Sequence, residues 1–156
     1  MTMAFFADEW GPEKILEVYN PKVGMEGILV IDNTALDPRK GGIRMTPSVT
    51  VEEVFRLVRT MTWKCALANL PFGGAKAGII AEPKHISKDH QIELVRAFSH
   101  AVRPLSPSQY VAAPDINTGE EEKRARLRLG QWLPEILYGK TNEYVRQTGS
   151  KMRHTS

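Results

Sequence analysis

The sequence predicts an α/β fold with a mixed β-sheet flanked by helices. Short segments rich in Ile, Val and Leu, which are typical of strands, alternate with segments whose apolar residues recur every three or four positions, as in amphipathic helices. The length of 156 residues, with 42% hydrophobic and 25% charged residues, suits one compact domain. No internal repeat is visible.

The first elements form a β-hairpin followed by a loop. Residues 13–34, EKILEVYNPKVGMEGILVIDNT, contain two apolar runs on either side of the turn NPKVG. Residues 35–49, ALDPRKGGIRMTPSV, are predicted to be a polar loop that crosses the surface. The glycine pair within this loop is free to take backbone angles that other residues avoid.

Two helices are predicted from capping residues and periodicity. Thr50 followed by Glu53 is a capping box, and the helix continues until Pro71 stops the pattern, which puts Lys64 near its end. Its apolar stripe consists of Val51, Val54, Val58, Met61 and Cys65. Ser87 begins the second helix, and the apolar side of that helix carries Ile92, Val95, Phe98 and Val102.

The remaining strands are predicted beside chemically active residues. The stretch LPFGGAKAG, residues 70–78, is interpreted as a glycine-rich turn that contains Lys76 and leads into a buried strand. QYVAAPDINT, residues 109–118, is interpreted as a strand that ends at Asp115. Thr118, with Glu121 three positions later, indicates a further helix start.

Composition excludes several classes of protein. No apolar run approaches the ~20 residues of a membrane span, and the N-terminal segment does not resemble a secretory signal. Cys65 is the only cysteine, which rules out an internal disulfide and suits a reducing compartment. We therefore expect a cytoplasmic protein with no membrane partner. The histidines lack metal-ligand spacing, so no metal site is expected; they are His85, His90, His100 and His154.

Charge is distributed unevenly along the chain. Residues 1–122 contain 13 Lys and Arg against 16 Asp and Glu, whereas residues 123–156 contain 8 against 2. A basic tail of this kind can bind nucleic acid or a membrane surface, or it can be a solvated end. The tail lacks interleaved aromatic residues and a recognisable module, so nucleic-acid binding is disfavoured.

Three lysines and one aspartate lie beside glycines or at element ends, and we expect them to converge on one cleft. They are Lys40, Lys64, Lys76 and Asp115. A cleft with three cations favours an anionic ligand. Phosphate is disfavoured, because GGAKAG matches neither G-x-G-x-x-G nor G-x-x-x-x-G-K-[ST] and leads into a strand rather than a helix.

Three stretches carry a family resemblance: PRKGGIRMTPSVTVEEV, MTWKCALANLPFGGAKAGI and YVAAPDINTGEEE. In this order and spacing they resemble the N-terminal, substrate-binding domain of the glutamate/leucine/phenylalanine/valine dehydrogenases, and glutamate dehydrogenase most closely. The resemblance covers roughly residues 10–122. It implies that Lys76 is the catalytic lysine and Asp115 the acid–base aspartate.

The resemblance also implies the substrate. Lys64 would bind the α-carboxylate of the amino acid, and Lys40 its side-chain carboxylate. A cation at the end of the side chain suits a dicarboxylic amino acid, whereas leucine or phenylalanine would need an apolar residue there. The expected reaction is the reversible oxidative deamination of L-glutamate to 2-oxoglutarate and ammonia. Ala77 replaces a glycine that many relatives have, at little expected cost.

Intact members of this family bind NAD or NADP on a second domain of the Rossmann type, and hexamers occur among them. The 156 residues contain no fingerprint of that domain. We therefore expect an N-terminal fragment that binds no cofactor and is inactive alone, assembled as a homo-oligomer. The alternative is a non-catalytic module for oligomerisation or substrate binding.

Residues 123–156 do not resemble the family's continuation. Allowed codons from Gly139 to Ser156, read one base later, can spell T-G-K-P-M-N-M-C-V-K-P-G-A-K-C-G-I-P, which does. We interpret residues 1–122 as the dehydrogenase domain and residues 123–156 as an aberrant, out-of-frame tail. A real frameshift or a sequencing error would produce it, and either would explain its basic charge.

Overall fold

A computed structural model describes residues 7–33, 35–36, 38–106 and 108–119. Within these ranges, five strands form one sheet in the order β1-β2-β4-β3-β5. The strands are β1 (Lys14–Asn20), β2 (Met25–Ile31), β3 (Arg39–Thr46), β4 (Gly73–Ile80) and β5 (Tyr110–Pro114), and the helices are α1 (Val51–Leu67) and α2 (Lys88–Ala101). The pairs β1–β2 and β2–β4 are antiparallel, whereas β3 runs parallel to both β4 and β5. The predicted mixed sheet with flanking helices is confirmed.

The predicted hairpin is confirmed. β1 pairs with β2 along its whole length, from Lys14 opposite Ile31 to Asn20 opposite Met25. In the turn, the Asn20 side chain accepts a hydrogen bond of 3.1 Å from the backbone N–H of Lys22. The turn ends at Gly24, whose φ of 62° is in the left-handed region that favours glycine.

The predicted surface loop at 35–49 is wrong over residues 39–46, which form β3 in the interior of the sheet. The glycines suggested a loop because glycine is rare in strands. In this strand they allow close packing instead, since a side chain on Gly41 would overlap the carbonyl oxygen of Ala75 in β4. Ile43 and Met45 are buried in the core.

The predicted glycine turn before Lys76 is also wrong, because β4 begins at Gly73 and Lys76 pairs with Val30 in the middle of the strand. A side chain on Gly74 would overlap the Thr62 hydroxyl of α1. The glycine therefore lets the helix lie close to the strand rather than turning the chain.

Helix α1 begins where its capping box predicts. The Thr50 hydroxyl accepts a hydrogen bond of 3.2 Å from the N–H of Glu53. The helix packs mainly over β4 and β2, where Val54 and Val58 join Val30 in a small apolar cluster.

Helix α2 covers the opposite face of the sheet. Ser87 caps it by accepting a hydrogen bond from the N–H of His90, as predicted. Phe98 is fully buried and lies against Gly27, where any side chain would overlap its ring. Ile92, predicted in the apolar stripe, is only partly buried, whereas Leu94 is buried in the core.

A buried ion pair fastens the start of the described chain to α1. Asp32, just after β2, is fully buried and accepts hydrogen bonds from Arg59 at 3.1 Å and from the Thr62 hydroxyl at 2.6 Å. Arg59 also binds the carboxylate of Asp8 at 2.7 and 2.9 Å. Hydrogen bonding to Arg59 holds the pKa of Asp8 below its ordinary value.

Residues 120–156 lie outside the described ranges, and they include Glu121 of the helix start predicted from Thr118, the domain boundary at 122/123 and His154. Among the residues that the structure does describe, no helix is both long and apolar enough to cross a membrane. In the same residues, no three His, Cys, Asp or Glu side chains are grouped so as to hold a metal ion.

Candidate active site

Lys76 and Asp115 form an ion pair on the face of the sheet that carries α1. The ammonium of Lys76 contacts Oδ2 of Asp115, and Lys76 is only 8% exposed. Lys76 belongs to β4 and Asp115 follows β5, so β3 lies between the strands that carry them. Gly42 of β3 makes the contact possible, because a Cβ atom there would lie 2.7 Å from the Cβ of Asp115.

Arg44 and Glu53 extend this pair into a chain of four alternating charges. Nε of Arg44 lies 3.5 Å from Oδ2 of Asp115, and Nη1 of the same guanidinium contacts Glu53. Arg44 was absent from the residues predicted from sequence. Had residues 39–46 been predicted as a strand, the alternation of Lys40, Gly42 and Arg44 on one face would have indicated it.

The turn after β5 fixes the position of Asp115. The backbone N–H of Asp115 donates a hydrogen bond of 3.0 Å to the Thr118 hydroxyl, which itself donates to the carbonyl of Ile43. Asn117, with a φ of 60°, donates from its side-chain amide to the carbonyl of Met45 at 2.9 Å. Both contacts tie the turn to β3 and so fix the backbone from which the Asp115 side chain extends.

The electrostatic environment keeps Asp115 ionised. Burial alone would raise the pKa of this carboxyl, but the hydrogen bond and the charge of Lys76, with smaller contributions from the Ile116 N–H and Arg44, outweigh it. The pKa of Asp115 is therefore lower than its ordinary value of 3.8. An ammonium and a carboxylate in contact form a proton donor and a proton acceptor that one substrate can use together.

Lys40 and Lys64 lie near the C-terminal end of α1. The ammonium of Lys40 is 5.7 Å from the centre of the Phe72 ring. Its charge also acts on Cys65, since burial raises the pKa of this thiol and the charge of Lys40 opposes that rise. Lys64 precedes Cys65 in α1 and is exposed. The structure thus brings Lys76 and Asp115 together and places Lys40 beside the segment of α1 that carries Lys64.

The glycines before Lys76 offer no cradle for a phosphate. Gly73 and Gly74 are buried, and atoms of Asn33, Leu36 and Thr62 occupy the space where their side chains would lie. A phosphate-binding loop needs backbone N–H groups that face a ligand. These two glycines are surrounded by protein atoms. This agrees with the sequence, which matches neither G-x-G-x-x-G nor G-x-x-x-x-G-K-[ST] at this position.

A family model described as "Glu/Leu/Phe/Val dehydrogenase, dimerisation domain" matches residues 12–125. The chain belongs to this dehydrogenase family. The match includes every strand and both helices described above, and it confirms the resemblance carried by the three sequence stretches.

Known relatives are longer proteins. The chain is 39% identical over 109 residues to glutamate dehydrogenase B of Halobacterium salinarum, a match that covers 66% of the chain and 25% of that relative. The Leu-bound hetero-hexameric glutamate dehydrogenase of Thermus thermophilus superposes with a TM-score of 0.72 at 25% identity, covering 93% of this chain and 42% of that one. The L-tryptophan dehydrogenase of Nostoc punctiforme gives a TM-score of 0.69 at 30% identity, covering 80% and 37%. The chain therefore spans less than half the length of each of these relatives.

The names of these dehydrogenases show that family membership alone leaves the amino acid open. Relatives named for glutamate and for tryptophan share this fold with the chain. The shared fold therefore does not identify the amino acid on which a family member acts.

Proposed function

We propose that residues 1–122 form the substrate-binding and oligomerisation domain of an NAD- or NADP-dependent glutamate dehydrogenase. This enzyme interconverts L-glutamate with 2-oxoglutarate and ammonia. The observation that carries the proposal is the Lys76–Asp115 ion pair, built into the dimerisation-domain fold of an amino-acid dehydrogenase family. The single buried cysteine suits the cytoplasm as the site of this activity.

In the proposed mechanism, Lys76 acts on oxygen and Asp115 acts on nitrogen. In its protonated form Lys76 polarises the 2-oxo group. In the deamination direction, the neutral amine of the same side chain accepts a proton from the water that attacks the imine. The carboxylate of Asp115 accepts a proton from the substrate nitrogen and returns it in the reverse reaction. Because the two side chains are in contact, a proton can pass between them without a detour through bulk water.

Lys64 and Lys40 are the proposed substrate anchors. The exposed ammonium of Lys64 binds the α-carboxylate, and Lys40 binds the side-chain carboxylate. The Phe72 ring beside Lys40 supports this, because a cation over an aromatic face is held in place while it stays charged. An apolar substrate would leave the charge of Lys40 without a partner.

The residues of this chain do not fit a nicotinamide dinucleotide. The 156 residues contain no G-x-G-x-x-G fingerprint, and the glycines before Lys76 are covered by protein atoms. We therefore propose that this chain alone binds neither NAD nor NADP and that residues outside it hold the cofactor. Consequently, we assign no part of the hydride transfer to the residues described here.

Ligand binding tests the substrate assignment. We expect purified chain to bind 2-oxoglutarate more tightly than 4-methyl-2-oxopentanoate, the oxo acid of leucine, in an isothermal or NMR titration. Lys40→Leu should weaken 2-oxoglutarate binding by about tenfold or more, the cost of one charge-assisted hydrogen bond. Lys22→Leu, in the exposed turn of the hairpin, is the matched control. Equal binding of both oxo acids by the wild-type chain would contradict the assignment.

A turnover assay tests the fragment hypothesis. We expect purified chain to show no glutamate-dependent reduction of NAD⁺ or NADP⁺. Measurable reduction would show that the chain is catalytically complete and that the proposal about the cofactor is wrong.

The second candidate function is a non-catalytic module that assembles into a homo-oligomer, and ultimately a hexamer. It is favoured by the family description as a dimerisation domain and by Trp63 and Leu67, which lie one turn apart on α1 and are 58% and 86% exposed. In sedimentation velocity we expect an oligomer that dissociates in Trp63→Ser/Leu67→Ser. A wild-type chain that stays monomeric at all concentrations would exclude this function.

A further inference from the structure

We infer that Arg44 is a positioning residue for Asp115: it holds the Asp115 carboxylate, ionised and in place, when Lys76 leaves it to contact the substrate. The inference rests on the proposed function, because it concerns the moment at which Lys76 changes partner. It assigns a role to a residue that neither the sequence patterns nor the proposed mechanism used.

The geometry puts two cations on one carboxylate oxygen. Lys76 and Arg44 both approach Oδ2 of Asp115, Lys76 in direct contact and Arg44 at 3.5 Å. They reach it from neighbouring strands, β4 and β3. Loss of either contact therefore leaves the carboxylate with one remaining cation.

The two cations differ in how firmly they are held. Lys76 has a single ammonium on a flexible stem, and the proposed mechanism requires it to turn towards an oxo group. Arg44 has a planar guanidinium, and its other end is held by Glu53 in the first turn of α1. Arg44 is therefore the static partner of Asp115, and Lys76 is the mobile one.

The need for a static partner follows from burial. The Asp115 side chain is 22% exposed, and burial by itself favours the protonated carboxyl. A protonated Asp115 cannot accept a proton from the substrate nitrogen. With Lys76 turned away, Arg44 is the cation that stays beside Oδ2 of Asp115, and its charge opposes the effect of burial.

Other charged groups around Asp115 must be separated from this effect. Lys76 faces it from β4, Arg44 from β3 and Glu53 from α1 through Arg44. Lys84 and Lys88 line a cleft that also includes Asp115. Both of these lysines and Glu53 remain in every variant below, so differences between the variants follow from the replacement of Lys76 or Arg44.

The test is an NMR titration of the side-chain carboxyl carbon of Asp115 in the full chain, without substrate. Lys76→Met imitates the moment at which Lys76 has left. We expect the titration midpoint of Asp115 to rise moderately in Lys76→Met and to rise further in Lys76→Met/Arg44→Met. Lys76→Met/Arg44→Lys should fall between these two, since it keeps a charge and loses the fork that grips Glu53. Lys76→Met/Arg56→Met is the matched control, because Arg56 is an exposed arginine of α1, the helix that carries Glu53. Asp115 should titrate in this variant as it does in Lys76→Met.

An equal midpoint in Lys76→Met, Lys76→Met/Arg44→Met and Lys76→Met/Arg44→Lys would overturn the inference. If Lys76→Met/Arg44→Met does not fold, the comparison of Lys76→Met with Lys76→Met/Arg44→Lys decides the question. A purely structural role for Arg44 would change the unfolding temperature of the variants and leave the titration of Asp115 unchanged. The proposed function is tested separately by 2-oxoglutarate binding. If the chain does not bind 2-oxoglutarate but the titration midpoint of Asp115 still changes when Arg44 is replaced, the proposed function fails and the role of Arg44 stands.

Discussion

At the scale of single residues, the site depends on a glycine, which has no Cβ atom. Lys76 and Asp115 lie on either side of β3, and the residue between them on that strand is Gly42. A Cβ atom at this position would lie 2.7 Å from the Cβ of Asp115 and 3.2 Å from its carboxyl carbon, too close for either residue to stay in place. Gly42 is therefore as much a part of the candidate site as the charged residues that it allows to meet.

Gly42→Ala tests this directly. The added methyl group must displace Asp115, so we expect the free energy of unfolding to fall by about 1–3 kcal/mol, the usual cost of overpacking. The Asp115 midpoint should rise as its contact with Lys76 loosens. Chemical denaturation and the carboxyl titration measure the two effects. Gly24→Ala has open space around its Cβ and serves as the control for the titration, which should not change. An unchanged Asp115 midpoint in Gly42→Ala would contradict the role of Gly42.

The lowered pKa of Asp115 predicts how stability depends on pH. A carboxyl whose folded pKa is below its unfolded value stabilises the fold above the unfolded value, and this contribution is lost as pH falls through the folded value. The unfolded value is 3.8 and the folded value is lower. We therefore expect the wild-type chain to exceed Asp115→Asn in stability at pH 7, and the difference to shrink below about pH 4. Urea unfolding across this range measures it, and a difference that grows on acidification would contradict the prediction.

At the scale of elements, the helix start and the central strand illustrate opposite cases. The start of α1 is local, because the capping hydroxyl of Thr50 and the N–H of Glu53 are three residues apart. β3 is non-local, because its hydrogen bonds run to β4 and β5, which come much later in the chain. A short stretch of sequence contains both partners of the helix cap, but it does not contain the strands with which β3 pairs.

The cap of α1 gives a matched pair of threonines. Thr50→Ala removes the acceptor for the N–H of Glu53, and we expect a loss of about 1 kcal/mol in the free energy of unfolding. Thr60 lies within the same helix, and its hydroxyl donates to the carbonyl of Arg56 rather than capping the helix. Thr60→Ala should change stability little or raise it, since alanine is the better helix former. Thermal or urea unfolding compares the two. An equal loss in both variants would show that the Thr50 hydroxyl is not a stabilising cap.

At the scale of the whole molecule, the ion pair of Asp32 with Arg59 joins three separate segments. It connects the end of β2 and the middle of α1, and through Asp8 the start of the described chain. The Asp32 carboxylate is fully buried, and hydrogen bonds from Arg59 and Thr62 reach it. Such a carboxylate is tolerable only while its partners are present.

Arg59→Met should therefore be severe. It leaves a buried carboxylate without its cation, and we expect a loss of about 3–5 kcal/mol in stability. Arg56→Met, one turn earlier on the same helix, removes only an exposed pair with Glu52 and should cost less than about 1 kcal/mol. Urea unfolding of both variants at pH 7 is the measurement. A similar small loss in the two would mean that Asp32 is not held as a buried anion.

The out-of-frame interpretation of residues 123–156 is tested on the nucleic acid. Sequencing the coding DNA should show codons from Gly139 to Ser156 that spell the family's continuation when read one base later. It should also show a dinucleotide-binding fingerprint further along in that shifted frame. Codons that fail to spell the continuation would disprove the interpretation.

Features that depend on neighbours in the chain were predictable from the sequence. The hairpin, the caps of both helices and the strand ending at Asp115 follow from turn residues, capping residues and periodicity, each complete within a short stretch. The three motif stretches also predicted the family. Through that resemblance they predicted that Lys76 and Asp115 act in the same reaction.

Features that depend on distant segments came only from the fold. Whether Gly41 and Gly42 bend the chain or let strands pack closely depends on what lies across from them, and that is the backbone of β4 and Asp115. Arg44 meets Asp115 although 71 residues separate them. No local pattern reports such a contact, because it exists only once β3 has entered the sheet between β4 and β5. The chemistry of each side chain could thus be read from the sequence, whereas the partners of each charge were set by the order of the strands in the sheet.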